Sequence, residues 1–309
     1  MAGKMRLGRT DLYVNPIGMG TNAVGGHNIY PNIDEGASFE MIRAGLENGL
    51  NFFDTAYFYG LGRSEEIIGQ IVKETGKRSE TVIATKASYT FAGQDVVHNN
   101  DPAFLTRSVE ESLNRLQSDY IDLFYIHFPD KDTPKDEAVG ALKRLKDEGK
   151  IRAIGVSNFS LEQLKEANKD GYIDVYQGEY NLLNRSAEQE LFPYFREKNI
   201  SFIPYFPLAK GLLTGKYDKK TNLEGKRGKF FQKETFEAAL EKVEKVREIA
   251  EQKGADVAHV VLAWYLTRDV IDAIIPGAKQ AEQVLNNLKT LDVHLTEEEI
   301  RHIDQAFQQ

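Results

Sequence analysis

The chain has 309 residues, of which 41% are hydrophobic and 28% charged, a composition typical of a globular protein with a sizeable core. A net charge of −8, with lysine and arginine spread along the chain, argues against a nucleic-acid-binding groove. The chain contains no cysteine, which excludes thiol nucleophiles, disulfides and cysteine-based metal sites. It also contains no run of 18 apolar residues, so neither export nor a membrane span is predicted, and we expect a cytoplasmic protein.

Short apolar runs alternate with helical patterns along the whole chain. The runs are rich in Ile, Val, Phe and Tyr with little polar alternation, which is typical of strands buried on both faces in a parallel sheet. We predict strands at 17–20, 50–53, 81–85, 120–126, 151–156, 174–178, 200–205 and 271–275.

Helical signatures lie between these runs, with apolar stripes at 105–116 and 138–145. Two residues that precede proline predict N-caps, and two pairs spaced three residues apart predict capping boxes. These are Asp101, Thr133, Ser160 with Gln163, and Thr296 with Glu299.

Strands followed in turn by helices, over a chain of this length, predict a (β/α)₈ TIM barrel formed by a single domain at 1–309. A doubly wound sheet is the alternative, but "GMGTNAVGG" fits its G-x-G-x-x-G turn poorly. Three additions are predicted: an N-terminal hairpin over 4–14, a long loop over 211–234 after the seventh strand, and a C-terminal helix over 296–307. The loop is a ligand clamp or lid on one interpretation and a plain flexible excursion on the other.

Four candidates for chemistry lie at or just beyond successive strand ends: Asp54, Tyr59, Lys86 and His127. Each alone is as easily explained by a structural role, but active sites of barrels lie where the carboxyl ends of the strands converge. Tyr59 could donate a proton, and an adjacent Lys86 ammonium would lower its pKa towards the working range. Asp54 would be the partner of Lys86, and a neutral His127 could hydrogen-bond a carbonyl oxygen. We find no nucleophile with a base and no convincing metal site, so a hydride donor would have to be a bound cofactor.

At these residues the sequence resembles the aldo-keto reductases. The resemblance runs through "DTAYFYG", "ATKA", "YIHFPD", "IGVSNFS", "QGEYNLLNR" and "PYFPLAKGLLTGKY" to "IPGAKQAEQVLNN", and it is nearest to the bacterial IolS-type reductases, a subgroup associated with inositol catabolism. It implies that Tyr59 is the general acid, that Lys86 and Asp54 tune it, and that His127 orients the carbonyl.

The resemblance also implies an extended nicotinamide dinucleotide across the barrel mouth, with Tyr205 stacked on the nicotinamide. The remaining cofactor residues that it implies are Gly20, Thr21, Asn22, Ser157, Asn158, Gln177, Phe206, Pro207, Leu208, Lys210, Gly211, Leu213, Lys216, Pro276, Gly277, Lys279, Gln283, Asn286 and Asn287. The substrate pocket would be lined by His27, Tyr30, Tyr57, Tyr89, Phe91 and Phe128.

The family usually prefers NADP(H), although Gln283 stands where many members carry an arginine, which weakens the expected grip on a 2′-phosphate and leaves Lys279 as the nearby cation. We therefore expect NADP(H) with weaker use of NAD(H), a small carbonyl or alcohol substrate, and a monomer or weak homo-oligomer. Two alternatives stay open: a class I aldolase with Lys86 as Schiff base, and a non-enzymatic, cofactor-sensing regulatory subunit with the same fold.

Overall fold

The computed structural model describes residues 3–92, 95–222 and 233–308, without the side chains of 91, 92, 233 and 234. The strands are β1 Met5–Arg6, β2 Tyr13–Val14, β3 Met19–Gly20, β4 Phe52–Asp54, β5 Val82–Ala87, β6 Tyr89–Ala92, β7 Asp95–His98, β8 Ile121–Ile126, β9 Ile151–Ser157, β10 Val175–Glu179 and β11 Ser201–Tyr205. The α-helices are α1 Glu35–Glu47, α2 Arg63–Glu74, α3 Pro102–Leu116, α4 Lys135–Asp147, α5 Leu161–Ala167, α6 Ala187–Glu190, α7 Phe192–Lys198, α8 Lys233–Lys253, α9 Val257–Tyr265, α10 Ala281–Leu288 and α11 Glu297–Ala306. Short 3₁₀ helices occupy Arg78–Glu80, Ala209–Thr214 and Lys289–Asp292.

Seven strands form one parallel sheet in the order β11, β10, β9, β8, β5, β4, β3. The segment 270–277 runs between its two ends. It bridges Ile17 through Ile274 on one side, and its Val270 carbonyl accepts from the Phe202 amide at 2.7 Å on the other. The sheet therefore curls into the barrel predicted from the alternating pattern.

The eighth predicted strand, 271–275, is a correction to the sequence analysis. It forms isolated bridges at Ile274 and Gly277 rather than a regular strand. Pro16 and Pro276 lie on the two sides of this seam, and neither has an N–H group to extend a ladder. The seven other strands are confirmed with ends shifted by one or two residues.

Helix starts follow the predicted caps with one exception. The Asp101 side chain accepts from the amides of Ala103 and Phe104, and both capping boxes are formed. Thr133 is wrong as an N-cap. Its hydroxyl bonds Asp130 instead, and the amide of Lys135 at the start of α4 donates to Glu166 at 2.8 Å.

The predicted N-terminal hairpin pairs β1 with β2 and covers the amino-terminal end of the barrel. Leu7, Leu12 and Val14 are at most 1% exposed and pack with the residues that fill the barrel interior, including Val82 and Val175 at the starts of their strands. The hairpin thus leaves the opposite, carboxyl end of the strands as the open mouth.

A second hairpin, β6 with β7, follows β5 at the mouth and was absent from the sequence prediction. The predicted long loop begins with the 3₁₀ helix Ala209–Thr214, and its residues 223–232 lie outside the described part of the chain, so the lid interpretation stays a prediction. The C-terminal helix is confirmed as α11. Within the described ranges, no helix is long and apolar enough to cross a membrane.

Candidate active site

A buried ion pair lies at the carboxyl end of β4 and β5. Lys86 Nζ donates to Asp54 Oδ1 at 2.6 Å and to the Thr55 carbonyl at 2.6 Å, and Gln177 Nε2 donates to Asp54 Oδ2 at 2.9 Å. Lys86 is fully buried and Asp54 is 1% exposed. The predicted pairing of these two residues is therefore present in the structure.

Burial and attraction oppose each other in this pair. Burial raises the pKa of the Asp54 carboxyl, and the charge and hydrogen bond of Lys86 and the amide of Gln177 lower it. Burial likewise lowers the pKa of the Lys86 ammonium, and Asp54 raises it. Each charge therefore depends on the other, because an isolated ion at this depth would lose its hydration without replacement.

Tyr59 lies beside the pair, in the loop between β4 and α2. The centroid of its ring is 5.4 Å from Lys86 Nζ and 6.4 Å from the His127 ring, which it meets edge-on. The expected fall in its pKa is wrong: burial, and then the negative charge of Asp54, raise the pKa of the Tyr59 hydroxyl. The physical reason is that burial removes the water that would stabilise a phenolate, and the nearby Asp54 carboxylate disfavours a second negative charge.

His127 follows β8 directly and is 9% exposed. Burial lowers its pKa well below the ordinary value, and the charge of Lys86 and the proximity of His98 act in the same direction. Its Nδ1 makes no hydrogen bond to the described residues. The ring is therefore neutral near pH 7 and has the form that the sequence analysis required for orienting a carbonyl. Nowhere in the described ranges do three His, Asp or Glu side chains form a group that could hold a metal ion.

Several predicted cofactor residues form a hydrogen-bonded chain around the mouth. The Tyr205 hydroxyl donates to Asn158 Oδ1 at 2.8 Å, and Asn158 Nδ2 donates to Ser157 Oγ at 3.0 Å and to the His127 carbonyl at 3.0 Å. Gln177, predicted to hold the nicotinamide amide, already donates to Asp54. The structure thus joins the predicted nicotinamide-binding residues to the predicted catalytic residues.

The first predicted cofactor segment lies at the barrel seam. Gly20 bridges Gly277, and its amide donates to the Pro276 carbonyl at 3.3 Å. Thr21 is fully buried, and its hydroxyl donates to the Asp54 carbonyl at 3.0 Å, so its side chain supports β4. Asn22 Nδ2 donates to the Tyr30 hydroxyl at 3.3 Å.

The predicted pyrophosphate segment after β11 has an unusual backbone. Left-handed φ values occur at Phe206, Ala209, Lys210 and Gly211, and the Pro207 carbonyl accepts from the buried Tyr265 hydroxyl at 2.7 Å. Leu213 is buried, Leu208 packs partly buried against the core, and Lys210 and Lys216 add positive charge. Left-handed turns can direct backbone N–H groups at an anion. Here the amides of Ala209 and Gly211 already donate to the Phe206 and Leu208 carbonyls, both at 2.8 Å.

The predicted adenosine end surrounds the start of α10. Gln283 Oε1 accepts from the Lys279 amide at 2.8 Å, and Lys279 Nζ lies 4.7 Å from the Tyr30 ring centroid. Asn286 Nδ2 donates to Asp256 at 3.3 Å, and Asn287 follows it on the same helix. Lys279 thus faces the loop that carries Asn22 and Tyr30.

Comparison with known proteins identifies the family. Residues 16–308 match the aldo/keto reductase family. The chain is 38% identical to the aldo-keto reductase YhdN of Bacillus subtilis (strain 168) over 89% of this chain and 84% of that protein, and 32% identical to the NADH-specific methylglyoxal reductase of Escherichia coli (strain K12) over 95% of each. The chain belongs to the aldo/keto reductase family. It is therefore an NAD(P)-dependent oxidoreductase that acts on small carbonyl substrates.

A solved structure confirms the barrel of this aldo/keto reductase. The glycerol dehydrogenase of Gluconobacter oxydans superimposes with a TM-score of 0.89 at 34% identity, covering 99% of this chain and 95% of that one.

A cluster of aromatic side chains in the reductase borders the predicted catalytic residue His127. Tyr89 stacks on Phe58 with centroids 4.4 Å apart and meets His127 at 5.1 Å and Phe128 at 5.7 Å. His98, from β7, stacks on Phe128 at 4.9 Å. Tyr89 and Phe128 were predicted, whereas Phe58 and His98 were missed. The alternating apolar run "YTFA" and the run "DVVH" are the signal from which the hairpin carrying His98 could have been found.

The other predicted substrate residues have different surroundings. Tyr30 contacts Lys279 and Asn22 at the cofactor side, and His27 Nε2 lies 3.1 Å from Glu35 Oε1 on an exposed surface. The ring centroid of Tyr57 lies 5.0 Å from the guanidinium of Arg115 on α3, and Arg115 forms an ion pair with the buried Glu65 on α2. The Phe91 side chain lies outside the described residues.

Proposed function

We propose that this protein reduces aldehyde or ketone carbonyls to alcohols, reversibly, with NADP(H) preferred over NAD(H) and Tyr59 as general acid. The observation that carries the proposal is the position of the Tyr59 ring, 5.4 Å from Lys86 Nζ and 6.4 Å from the neutral His127 ring. A proton donor and a neutral hydrogen-bonding group thus lie close together at the carboxyl ends of the strands, as reduction of a carbonyl oxygen requires.

Three residues would act in turn on the carbonyl oxygen and on the proton that it receives. His127 is neutral, so it would donate a hydrogen bond and orient the oxygen without adding a charge. Tyr59 retains its proton at neutral pH because burial and Asp54 raise its pKa, and it would deliver that proton as negative charge develops on the oxygen. The Lys86 ammonium, held by Asp54, would stabilise the phenolate that remains.

The residues around the mouth suit a nicotinamide dinucleotide. The bound cofactor would supply the hydride, which no side chain can provide. Ser157 offers a hydroxyl and Asn158 an amide to a carboxamide, and Tyr205 offers a ring face for stacking. The left-handed backbone near Lys210 and the cation Lys279 suit phosphate groups. We base the NADP(H) preference on Lys279. We expect this preference to be moderate, because neither residue 280 nor residue 283 is an arginine that could make a bidentate contact with the phosphate. One relative is named as NADH-specific, so the test must also allow for a preference for NAD(H).

The aldolase alternative has less support. A Schiff base needs an uncharged amine that a substrate carbonyl can reach, whereas Lys86 is fully buried and hydrogen-bonded to Asp54 and Thr55.

Four further parts of the proposal rest on the sequence analysis. They are a relationship to the IolS-type reductases, a substrate derived from inositol or a sugar, a cytoplasmic location, and a monomeric or weakly oligomeric state.

The direct test follows the absorbance of reduced nicotinamide while aldehydes, ketones, sugars and inositol-derived ketones are offered with each cofactor. Turnover of at least one carbonyl by the wild type and its loss in Tyr59→Phe would support the proposal. Tight cofactor binding without turnover of any carbonyl would favour the regulatory subunit, and a borohydride-trapped adduct on Lys86 would favour the aldolase.

A further inference from the structure

The Lys86 ammonium lies between two phenol rings. Its Nζ is 5.4 Å from the ring centroid of Tyr59, at the mouth, and 5.6 Å from the ring centroid of Tyr125, inside the barrel. Tyr125 is fully buried and belongs to the apolar cluster that fills the interior. The role given to Lys86 and Tyr59 above does not account for this second ring.

Strand register places Tyr125 against the ion pair. Lys86 on β5 pairs with Tyr125 on β8, which in turn pairs with Gly155 on β9. Paired residues of neighbouring strands direct their side chains to the same face, so Lys86 and Tyr125 enter the barrel interior at one level. Gly155 leaves room for the ring: a Cβ there would lie 2.2 Å from Cδ1 and 2.5 Å from Cε1 of Tyr125. The ring is therefore held between Lys86 and the backbone of β9.

The surroundings of the ammonium give this contact a chemical consequence. Lys86 Nζ directs hydrogen bonds to Asp54 and to the Thr55 carbonyl. Its positive charge otherwise faces aromatic rings, and a cation is attracted to the face of a ring most strongly where both are out of water.

We propose that Tyr125 is a positioning residue whose ring stabilises the charged form of Lys86 and keeps its Nζ beside Tyr59. This inference rests on the proposed roles of Lys86 and Tyr59. The ring, rather than the hydroxyl, carries the effect. The hydroxyl is buried without a partner at hydrogen-bond geometry in the described residues, and the nearby Gln177 amide only partly opposes the rise that burial causes in its pKa.

The test compares Tyr125→Leu, which removes the ring, with Tyr125→Phe, which keeps it. Phe124→Leu is the matched control, because Phe124 is also fully buried on β8 but packs in the other, larger core cluster. Two readouts are needed: the pH dependence of kcat/KM, and the titration of Lys86 followed by NMR of ¹³C-labelled lysine in the full chain, with the signal assigned by its absence in Lys86→Met.

We expect Tyr125→Leu to lower the Lys86 pKa by about one unit and kcat/KM by about tenfold, through kcat rather than KM. Tyr125→Phe should recover both to near the wild-type values. Phe124→Leu should lower stability and leave both unchanged. If Tyr125→Leu does not fold, Gly155→Ala is the second variant, because the added methyl group must move the ring, and the Lys86 titration should then shift by about half a unit or more.

An unchanged Lys86 pKa in Tyr125→Leu, or in Gly155→Ala where that variant replaces it, would overturn the inference. Equal losses of kcat/KM in Tyr125→Phe and Tyr125→Leu would overturn it too. The NMR titration needs no turnover. A shift there together with full activity of Tyr59→Phe would therefore support the role of Tyr125 and count against the proposed general acid alone.

Discussion

Asp54 and Lys86 face each other across neighbouring strands at 2.6 Å, with side chains 2% and 0% exposed. We therefore expect the pair to affect the stability of the fold as well as the proposed chemistry. Removal of one partner leaves the other charge buried, and its desolvation is then uncompensated.

The first prediction concerns Asp54→Asn. We expect the variant to lose about 3 to 5 kcal/mol of unfolding free energy, because Lys86 is left as an unpaired buried charge. Urea denaturation measures this loss. Asp269→Asn is the control: it breaks an ion pair with Arg196 in which the side chains are 60% and 51% exposed, and it should cost at most about 1 kcal/mol. Equal losses in the two variants would show that the buried pair contributes no more than a surface pair.

The second prediction concerns His127 and pH. The folded protein holds the pKa of His127 well below its ordinary value, whereas the unfolded chain protonates this ring near pH 6.5. Below about pH 6.5 the unfolded state therefore binds a proton that the folded state does not, and wild-type stability should fall as the pH falls further.

Unfolding free energies at several values between pH 7.5 and pH 5, for wild type and His127→Gln, measure this effect. The glutamine variant lacks the titrating group, so its stability should fall less steeply over the same range. Parallel curves would show that His127 takes up a proton in the folded protein too and is not held neutral.

The sequence predicted much of the barrel and the contact between Asp54 and Lys86 because both depend on local patterns. Apolar runs locate the strands, and Asp54 and Lys86 fall at strand ends, where the fold brings them together. Capping boxes were equally readable, since Ser160 and Gln163 need only the right spacing.

The incorrect predictions concern contacts in three dimensions, which local sequence patterns do not specify. The direction of the shift in the Tyr59 pKa depends on how deeply the folded chain buries the hydroxyl and on how near Asp54 lies to it. Thr133 was assigned a cap because proline follows it, but Asp130 competes for its hydroxyl. His98 was missed because its contact with Phe128 joins a hairpin to a different strand end.

The third prediction concerns cofactor choice. We expect NADP(H) to bind about 10- to 100-fold more tightly than NAD(H), roughly 1.4 to 2.8 kcal/mol, with most of this preference lost in Lys279→Ala. Dissociation constants from quenching of protein fluorescence, at one fixed salt concentration, measure it. Lys289→Ala is the control, because Lys289 follows the other end of α10. Equal affinities in the wild type would refute the phosphate site, and an unchanged preference in Lys279→Ala would move it elsewhere.

The central claim is that Tyr59 donates the proton in carbonyl reduction. The most direct measurement is single-turnover oxidation of reduced nicotinamide by Tyr59→Phe, with cofactor affinity determined on the same samples. Tyr13→Phe serves as control, because Tyr13 is 52% exposed on the hairpin at the opposite end of the barrel. We expect the rate of reduction to fall by a factor of about 10² to 10⁴, with cofactor affinity nearly unchanged. A Tyr59→Phe enzyme that keeps more than half of the wild-type rate would contradict it.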